Sequence, residues 1–280
     1  MLDPVTDSAP KDSPDADLGP LAWVFEELRK SLDAANKAIR RFLRDHEQAR
    51  QGDLELADPA SLRLARQQIH QAVGALELVG LSAPAQVLRG MEAAVQRFVQ
   101  RPDTCTADAA ARVERAGFAL IEYLEGVLRG RQLPSVALFP QYRDVQEVAG
   151  AERIHPADLW PAEHRGIELP APDGVTAQQP SATLRSLFDR LVLLVVKTHS
   201  PASLQSLARL CAGLSAGATQ TRQRTFWRVA AAFFEAQAAG LIPADVHVKR
   251  ATSRVLLQFT SLQQGKTQVS ETLLHDLLFF

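Results

Sequence analysis

The chain has 280 residues, a length that suggests two domains, and 46% of them are hydrophobic, which is ample for buried cores. Its formal charge of -1, from 31 basic and 32 acidic residues, argues against a general nucleic-acid or membrane-surface binder. Two distant cysteines without a CxxC pair exclude a disulfide framework and a zinc knuckle.

Residues 1–19 are rich in Asp, Pro and Ser, and the sequence predicts a disordered leader there. This leader has neither a basic nor an apolar region of the kind found in signal peptides, and no apolar run is long enough to span a bilayer. A cytoplasmic location is therefore expected. Aromatic residues make up only 6% of the chain and β-branched alternation is nearly absent, which favours an all-α fold.

Four helices are predicted between residues 20 and 130, forming an antiparallel bundle. The first begins after Pro20 and is followed by a polar connection at 45–59. The second begins near Asp58 and Pro59 and ends near Gly80. Its apolar residues repeat in steps of three and four, which is typical of a buried helix seam: Leu62, Ala65, Ile69, Ala72, Leu76 and Val79. The third helix starts near Ser82 and the fourth at a cap, Thr106 or Asp108.

The remaining chain is divided by composition. A C-terminal extension of the bundle reaches residue 165, with Leu159 and Trp160 packing back onto it, and 166–180 is interpreted as a Pro/Gly-rich linker. A second all-helical domain is predicted at 181–280, capped at Ser181 and centred on the apolar helix TLRSLFDRLVLLVVK. Because the chain stops within an apolar face, HDLLFF, we expect this domain to be truncated and the chain to be an N-terminal fragment.

His70 is the candidate nucleophile. It follows the seam residue Ile69 and therefore lies on the flank of the bundle, where a partner protein could reach its ring. Gly74 is one turn further on the same face, and a helical glycine is unfavourable by about 1 kcal/mol relative to alanine. A reason to keep it is that a bare backbone gives a partner access to the ring.

Further charged residues surround this histidine. If the second and third helices pack antiparallel, Glu92 comes close to His70 and can accept its Nδ1–H, leaving Nε2 to attack. Arg63 and Arg66 lie within two turns before His70 and could screen a phosphoryl charge. With Glu77 they are the candidate binding residues. A solvated surface remains the alternative interpretation of these side chains.

The segment from His70 to Gly80, HQAVGALELVG, resembles the histidine phosphotransfer signature His-x-x-Lys-Gly, with Val73 where the family has lysine. Glu92 falls at the family's spacing for the glutamate that holds the histidine. Other segments, such as WVFEELRKSL, MEAAVQRFVQ and HPADLW, resemble the N-terminal region of the CheA-type hybrid histidine kinase of the type IV pilus chemosensory system. This resemblance covers about residues 19–165, and 181–280 less distinctly. The same region resembles the FimL scaffold.

The resemblance implies a phosphotransfer module of a two-component system that controls twitching motility, with His70 as phosphoacceptor. The alternative is a catalytically silent docking module. Implied partners are response-regulator receiver domains, a kinase core and a polar pilus scaffold protein, with no nucleic acid and no membrane insertion. The parent kinase would use ATP and Mg; this chain has no ATP-binding core, so no cofactor and no metal is expected, and enzymatic activity is limited to phosphotransfer.

Overall fold

The computed structural model describes residues 19–52, 58–160 and 174–280. Within those ranges all regular structure is helical, with ten α-helices and short 3-10 turns, and the predicted all-α fold is confirmed. The chain divides into two compact units, 1–161 and 162–280. The predicted leader lies outside the described residues, apart from Gly19. None of the described helices is long and apolar enough to cross a membrane.

The first helix, α1, spans Gly19–Gly52 and is longer than predicted. The polar connection expected from residue 45 is wrong for 45–52, which continue the helix. Two contacts favour this continuation: Arg41 forms an ion pair with Asp45 at 3.6 Å, and the ring of His46 stacks on Phe42 at a centroid distance of 5.4 Å. A polar sequence can extend a helix that is already anchored by its buried face.

Helices α2 (Ala60–Leu78), α3 (Ser82–Gln100) and α4 (Ala107–Leu128) complete the bundle. The turn between α2 and α3 passes through Gly80, whose φ of 80° is a left-handed conformation that glycine adopts without strain. The predicted cap at Thr106 is confirmed, since its hydroxyl accepts a hydrogen bond from the Ala109 amide at 3.2 Å. The predicted seam of α2 is buried from Leu62 to Leu76, and Val73 is buried with it.

A fifth helix, α5 (Phe139–Ala149), covers α3 and α4. It approaches α3 so closely at Gly90 that an added Cβ would lie 2.8 Å from Val145 Cγ2. A 3-10 turn at Pro156–Leu159 then buries Leu159 in the same core, while Trp160 is half-buried. The imidazole of His155 is buried and accepts the Ala157 amide at 3.1 Å through Nδ1.

The second unit contains α6 (Ala182–Thr198), α7 (Pro201–Gly217), α8 (Thr221–Ala238), α9 (Val246–Gln263) and α10 (Glu271–Phe279). The predicted cap at Ser181 is confirmed, but the predicted central position of the apolar helix α6 is wrong. α6 buries only Phe188, Val192 and Val195, and its Leu193 is 56% exposed. α7 packs most extensively on α8, where the hydroxyl of Ser215 donates to the carbonyl of Arg224 at 2.9 Å.

Residues 175–180 lie against α7, within the segment interpreted as a linker. The amide of Gln178 donates to the carbonyl of Gly213 at 2.9 Å, and the side-chain amide of Gln179 donates to the carbonyl of Gly217 at 2.6 Å. An added Cβ at Gly217 would lie 2.1 Å from the Gln178 carbonyl oxygen. The two glycines, one turn apart, therefore form the surface that holds this segment.

Candidate functional site

The residues singled out in the sequence lie where α2 and α3 run antiparallel to each other. Three side-chain contacts cross this joint, pairing Arg66 with Gln96, His70 with Glu92 and Glu77 with Arg89. Each pair matches an earlier residue of α2 with a later one of α3, as antiparallel packing requires. We call these six residues the α2–α3 polar face.

His70 lies in the middle of the α2–α3 polar face. Its side chain is 71% exposed, and its Nδ1 atom is 3.0 Å from Oε1 of Glu92, whose side chain is only 24% exposed. A carboxylate can only accept, so the hydrogen of the neutral ring belongs on Nδ1. Nε2 then carries the lone pair, and a half-buried carboxylate restrains the ring. The geometry suits an exposed nucleophilic nitrogen.

Gly74 is on α2, one turn after His70, and is half-exposed. No heavy atom other than its immediate surroundings in the helix lies within 4 Å of the position that a Cβ would occupy. Neither packing in the described residues nor a positive φ therefore requires glycine here, although glycine is unfavourable inside a helix by about 1 kcal/mol.

Val73 occupies the position at which the phosphotransfer signature has lysine. Its side chain is only 5% exposed and belongs to the core of the first unit, because α2 packs on both α1 and α3. The side chain at position 73 is thus directed into the bundle, whereas the His70 ring is in solvent. A cation that assists His70 has to come from another position.

The three candidate binding residues have different surroundings. A guanidinium nitrogen of Arg63 donates to Oδ1 of Asp58 at 3.0 Å, at the start of α2. Nη1 of Arg66 donates to Oε1 of Gln96 at 2.7 Å. Glu77 forms an ion pair with Arg89. The structure therefore brings Arg66 and Glu77 onto the α2–α3 polar face and pairs Arg63 with a residue outside it.

Sequence reasoning missed Arg89 and Gln96. Their spacing from Glu92, three residues before and four residues after, places all three on one side of α3. This spacing from Glu92 is the signal in the sequence that identifies Arg89 and Gln96 as its neighbours. Cys105, one of the two distant cysteines, is buried, and burial raises the pKa of its thiol to about 12.

Comparisons with known proteins concern mainly the second unit. Residues 173–280 match the family model for the FimL scaffold protein second domain. This similarity covers α6 to α10 and begins just before the segment that lies against α7. No curated protein and no solved structure matches the chain. The similarity to the FimL second domain is thus confined to residues 173–280, and the histidine site lies outside the matched residues.

Proposed function

We propose that the first unit is a phosphotransfer module in which Nε2 of His70 accepts a phosphoryl group from the aspartyl phosphate of a receiver domain. The observation that carries this proposal is the exposed imidazole whose Nδ1 faces the half-buried carboxylate of Glu92 at 3.0 Å. The open surface at Gly74, one turn away, supports it by giving room for a partner.

The transfer needs no group beyond the two proteins. The Nε2 lone pair attacks phosphorus, a P–N bond forms, and the P–O bond to the receiver aspartate breaks, which leaves a carboxylate. The imidazole becomes positively charged in this step while Nδ1 keeps its hydrogen. The Glu92 carboxylate, which accepts that hydrogen, stabilises the positive ring. Reversal of the same steps returns the phosphoryl group to a receiver.

The second unit gives this module a context. Its similarity to the FimL scaffold protein second domain supports a role in a protein assembly. Together with the sequence resemblance to a CheA-type hybrid kinase, it supports placement in a type IV pilus chemosensory system. The kinase core of that system would use ATP and Mg, and receiver domains or a polar scaffold protein would bind this chain.

The decisive experiment uses receiver domains charged with radioactive acetyl phosphate. They are mixed with the chain, and acid-labile, base-stable label on the chain is measured over time. We expect uptake by the wild type and none by His70→Gln. Glu92→Gln keeps the shape of the contact but loses its charge, so transfer should slow by about tenfold while the fold is retained. Equal labelling of wild type and His70→Gln would refute the proposal.

A second function, docking without chemistry, is supported by the burial of Val73 and by the similarity of the second unit to a domain of a scaffold protein. A silent docking module would bind a receiver through the surface around Gly74 but leave its phosphate in place. The same experiment separates the two functions if binding is measured alongside label. Saturable binding with no label on the wild type, lost in Gly74→Gln, would establish docking.

A further inference from the structure

Three arginines flank the His70–Glu92 pair on α2 and α3, and they differ in how their charge is balanced. Arg63 is paired with the carboxylate of Asp58, and Arg89 with the carboxylate of Glu77. Each of these cations is close to an anion, which offsets much of the field that it exerts on a third group. Neither has its full charge to offer to a phosphoryl group on His70.

Arg66 is held differently. Within the described residues, the hydrogen bond of its guanidinium goes to the side-chain oxygen of Gln96, a neutral amide. This contact fixes one nitrogen at 2.7 Å, and no carboxylate in the described part of the chain forms an ion pair with Arg66. A guanidinium has five N–H donors, so donors remain for a second acceptor. Arg66 therefore combines a fixed position with an available charge.

The position also suits contact with a phosphoryl group. Arg66 and His70 are four residues apart on α2, which places their Cβ atoms about 6 Å from each other on one face. Gln96 is four residues after Glu92 on α3. Its amide therefore holds the Arg66 guanidinium on the same side of the α2–α3 interface as the contact between Glu92 and the His70 ring. A phosphoryl group on Nε2 would be within reach of a side chain as long as arginine.

We propose that Arg66 binds the phosphoryl oxygens on His70 and supplies the cation that position 73 cannot, with Gln96 as its positioning residue. This inference rests on the proposed function. It differs from the family pattern in the source of the charge, which is a residue one turn before the histidine rather than three residues after it. Paired charge-assisted hydrogen bonds from one guanidinium would hold a phosphoryl group in a defined orientation.

The test uses N-phosphoimidazole as a donor, which needs no partner protein. Nε2 of His70 attacks phosphorus and forms a new P–N bond. The P–N bond to the donor ring breaks, and because that ring is protonated on its other nitrogen, it leaves as neutral imidazole. With excess imidazole the exchange is reversible, so the fraction of phosphohistidine, measured by 31P NMR, gives the equilibrium constant for the protein site relative to free imidazole. Circular dichroism of each variant checks that the bundle is retained.

Four variants isolate the charge. Arg66→Gln should lower the equilibrium constant about tenfold, whereas Arg66→Lys should retain most of it. Gln96→Glu changes one amide to a carboxylate, balances the charge of Arg66, and should lower the constant by several-fold. Arg63→Gln is the matched control: it removes the same side chain from the same helix, but that guanidinium is already paired with Asp58, so the constant should change less than about twofold.

The results test the role of Arg66 separately from the proposed phosphotransfer function. If Arg66→Gln lowers the equilibrium constant and Arg66→Lys retains most of it, the role of Arg66 is supported, even if receiver domains fail to label His70. Equal constants for wild type, Arg66→Gln and Arg63→Gln overturn that role and leave the proposed function to its own test. If neither N-phosphoimidazole nor a phosphorylated receiver labels His70, both are overturned.

Discussion

Substitution of Gly74 separates stability from phosphotransfer in one position. The glycine is half-exposed inside α2, and an added Cβ meets no neighbour within 4 Å. Gly74→Ala should therefore raise the free energy of unfolding of the first unit by about 0.5–1 kcal/mol, which is the difference in helix propensity. Gly74→Gln should gain about 0.5 kcal/mol, since glutamine is also a better helix former than glycine.

The effect on transfer should have the opposite sign. A glutamine side chain at position 74 would occupy the surface next to the His70 ring, so a receiver domain could not approach as closely. A displacement of about 1 Å between reacting groups lowers a rate by about 100-fold, and we expect Gly74→Gln to lose at least tenfold in the rate of label uptake from a phosphorylated receiver. Alanine, being smaller, should lose less.

The assay combines urea unfolding followed by circular dichroism with the receiver labelling experiment. A gain of about 0.5–1 kcal/mol corresponds to an upward shift of about 0.3–0.5 M in the urea midpoint. Hydrogen exchange of peptides from α2 assigns the shift to the first unit. Gly90→Ala is the matched control on the neighbouring helix: its Cβ would lie 2.8 Å from Val145 Cγ2, so it should destabilise the unit by about 1–3 kcal/mol.

Two results would refute this reasoning. A lower urea midpoint for Gly74→Ala would contradict the open space observed around the position. A wild-type rate for Gly74→Gln, in a protein that does transfer, would mean that partners do not approach the histidine over this part of α2.

Three further outcomes follow from burial. Val73→Lys restores the family motif but places an ammonium group in the core. It should therefore lower the free energy of unfolding by about 2–4 kcal/mol without raising the transfer rate. A variant that transfers faster and is equally stable would show that the side chain reaches the surface. Gly217→Ala should displace residues 175–180 and destabilise the second unit by about 1–3 kcal/mol. Urea unfolding measures the loss of stability, and proteolysis of residues 175–180 should be faster than in wild type. A wild-type rate of proteolysis in this segment would contradict the prediction. Burial raises the pKa of Cys105 from 9.0 to about 12, so the unfolded thiol ionises first. The buried thiol therefore contributes fully to the free energy of unfolding below the pKa of the unfolded chain, and this contribution falls as pH rises from 9.0 towards about 12. We expect the urea midpoint to fall more steeply at alkaline pH in wild type than in Cys105→Ala.

Local patterns in the sequence predicted much of the fold. The seam of α2 from Leu62 to Leu76 and the caps at Thr106 and Ser181 depend on residues close together in the chain, and the structure has them as predicted, while Val79 is only half-buried. The position of α6 was not predictable in this way. Its leucines are as apolar as those of a central helix, whereas the buried small residues of α7, such as Ala208, Cys211 and Ser215, are less prominent in a hydrophobicity pattern.

The site shows the same division. The flank position of His70 follows from its place beside Ile69 in the seam. Its surroundings depend on the register between α2 and α3, which brings in Gln96 and Arg89 and cannot be obtained from either helix alone. The burial of Val73, which is not part of the predicted seam, also depends on tertiary packing, because α2 contacts both α1 and α3 and buries a wider stripe.

The segment at 175–180 affects how the second unit can be separated from the rest of the chain. A recombinant protein that starts at the helix cap, Ser181, would lack Gln178 and Gln179 and leave two α7 carbonyls, at Gly213 and Gly217, without these donors. It would also remove one wall of a hollow of about 180 Å³ that Gln178, Gln179 and Pro180 share with Trp227. Water would then reach the edge of Trp227, whose ring contacts Phe188, Phe226 and Phe259. A fragment intended to fold alone should begin before Val175.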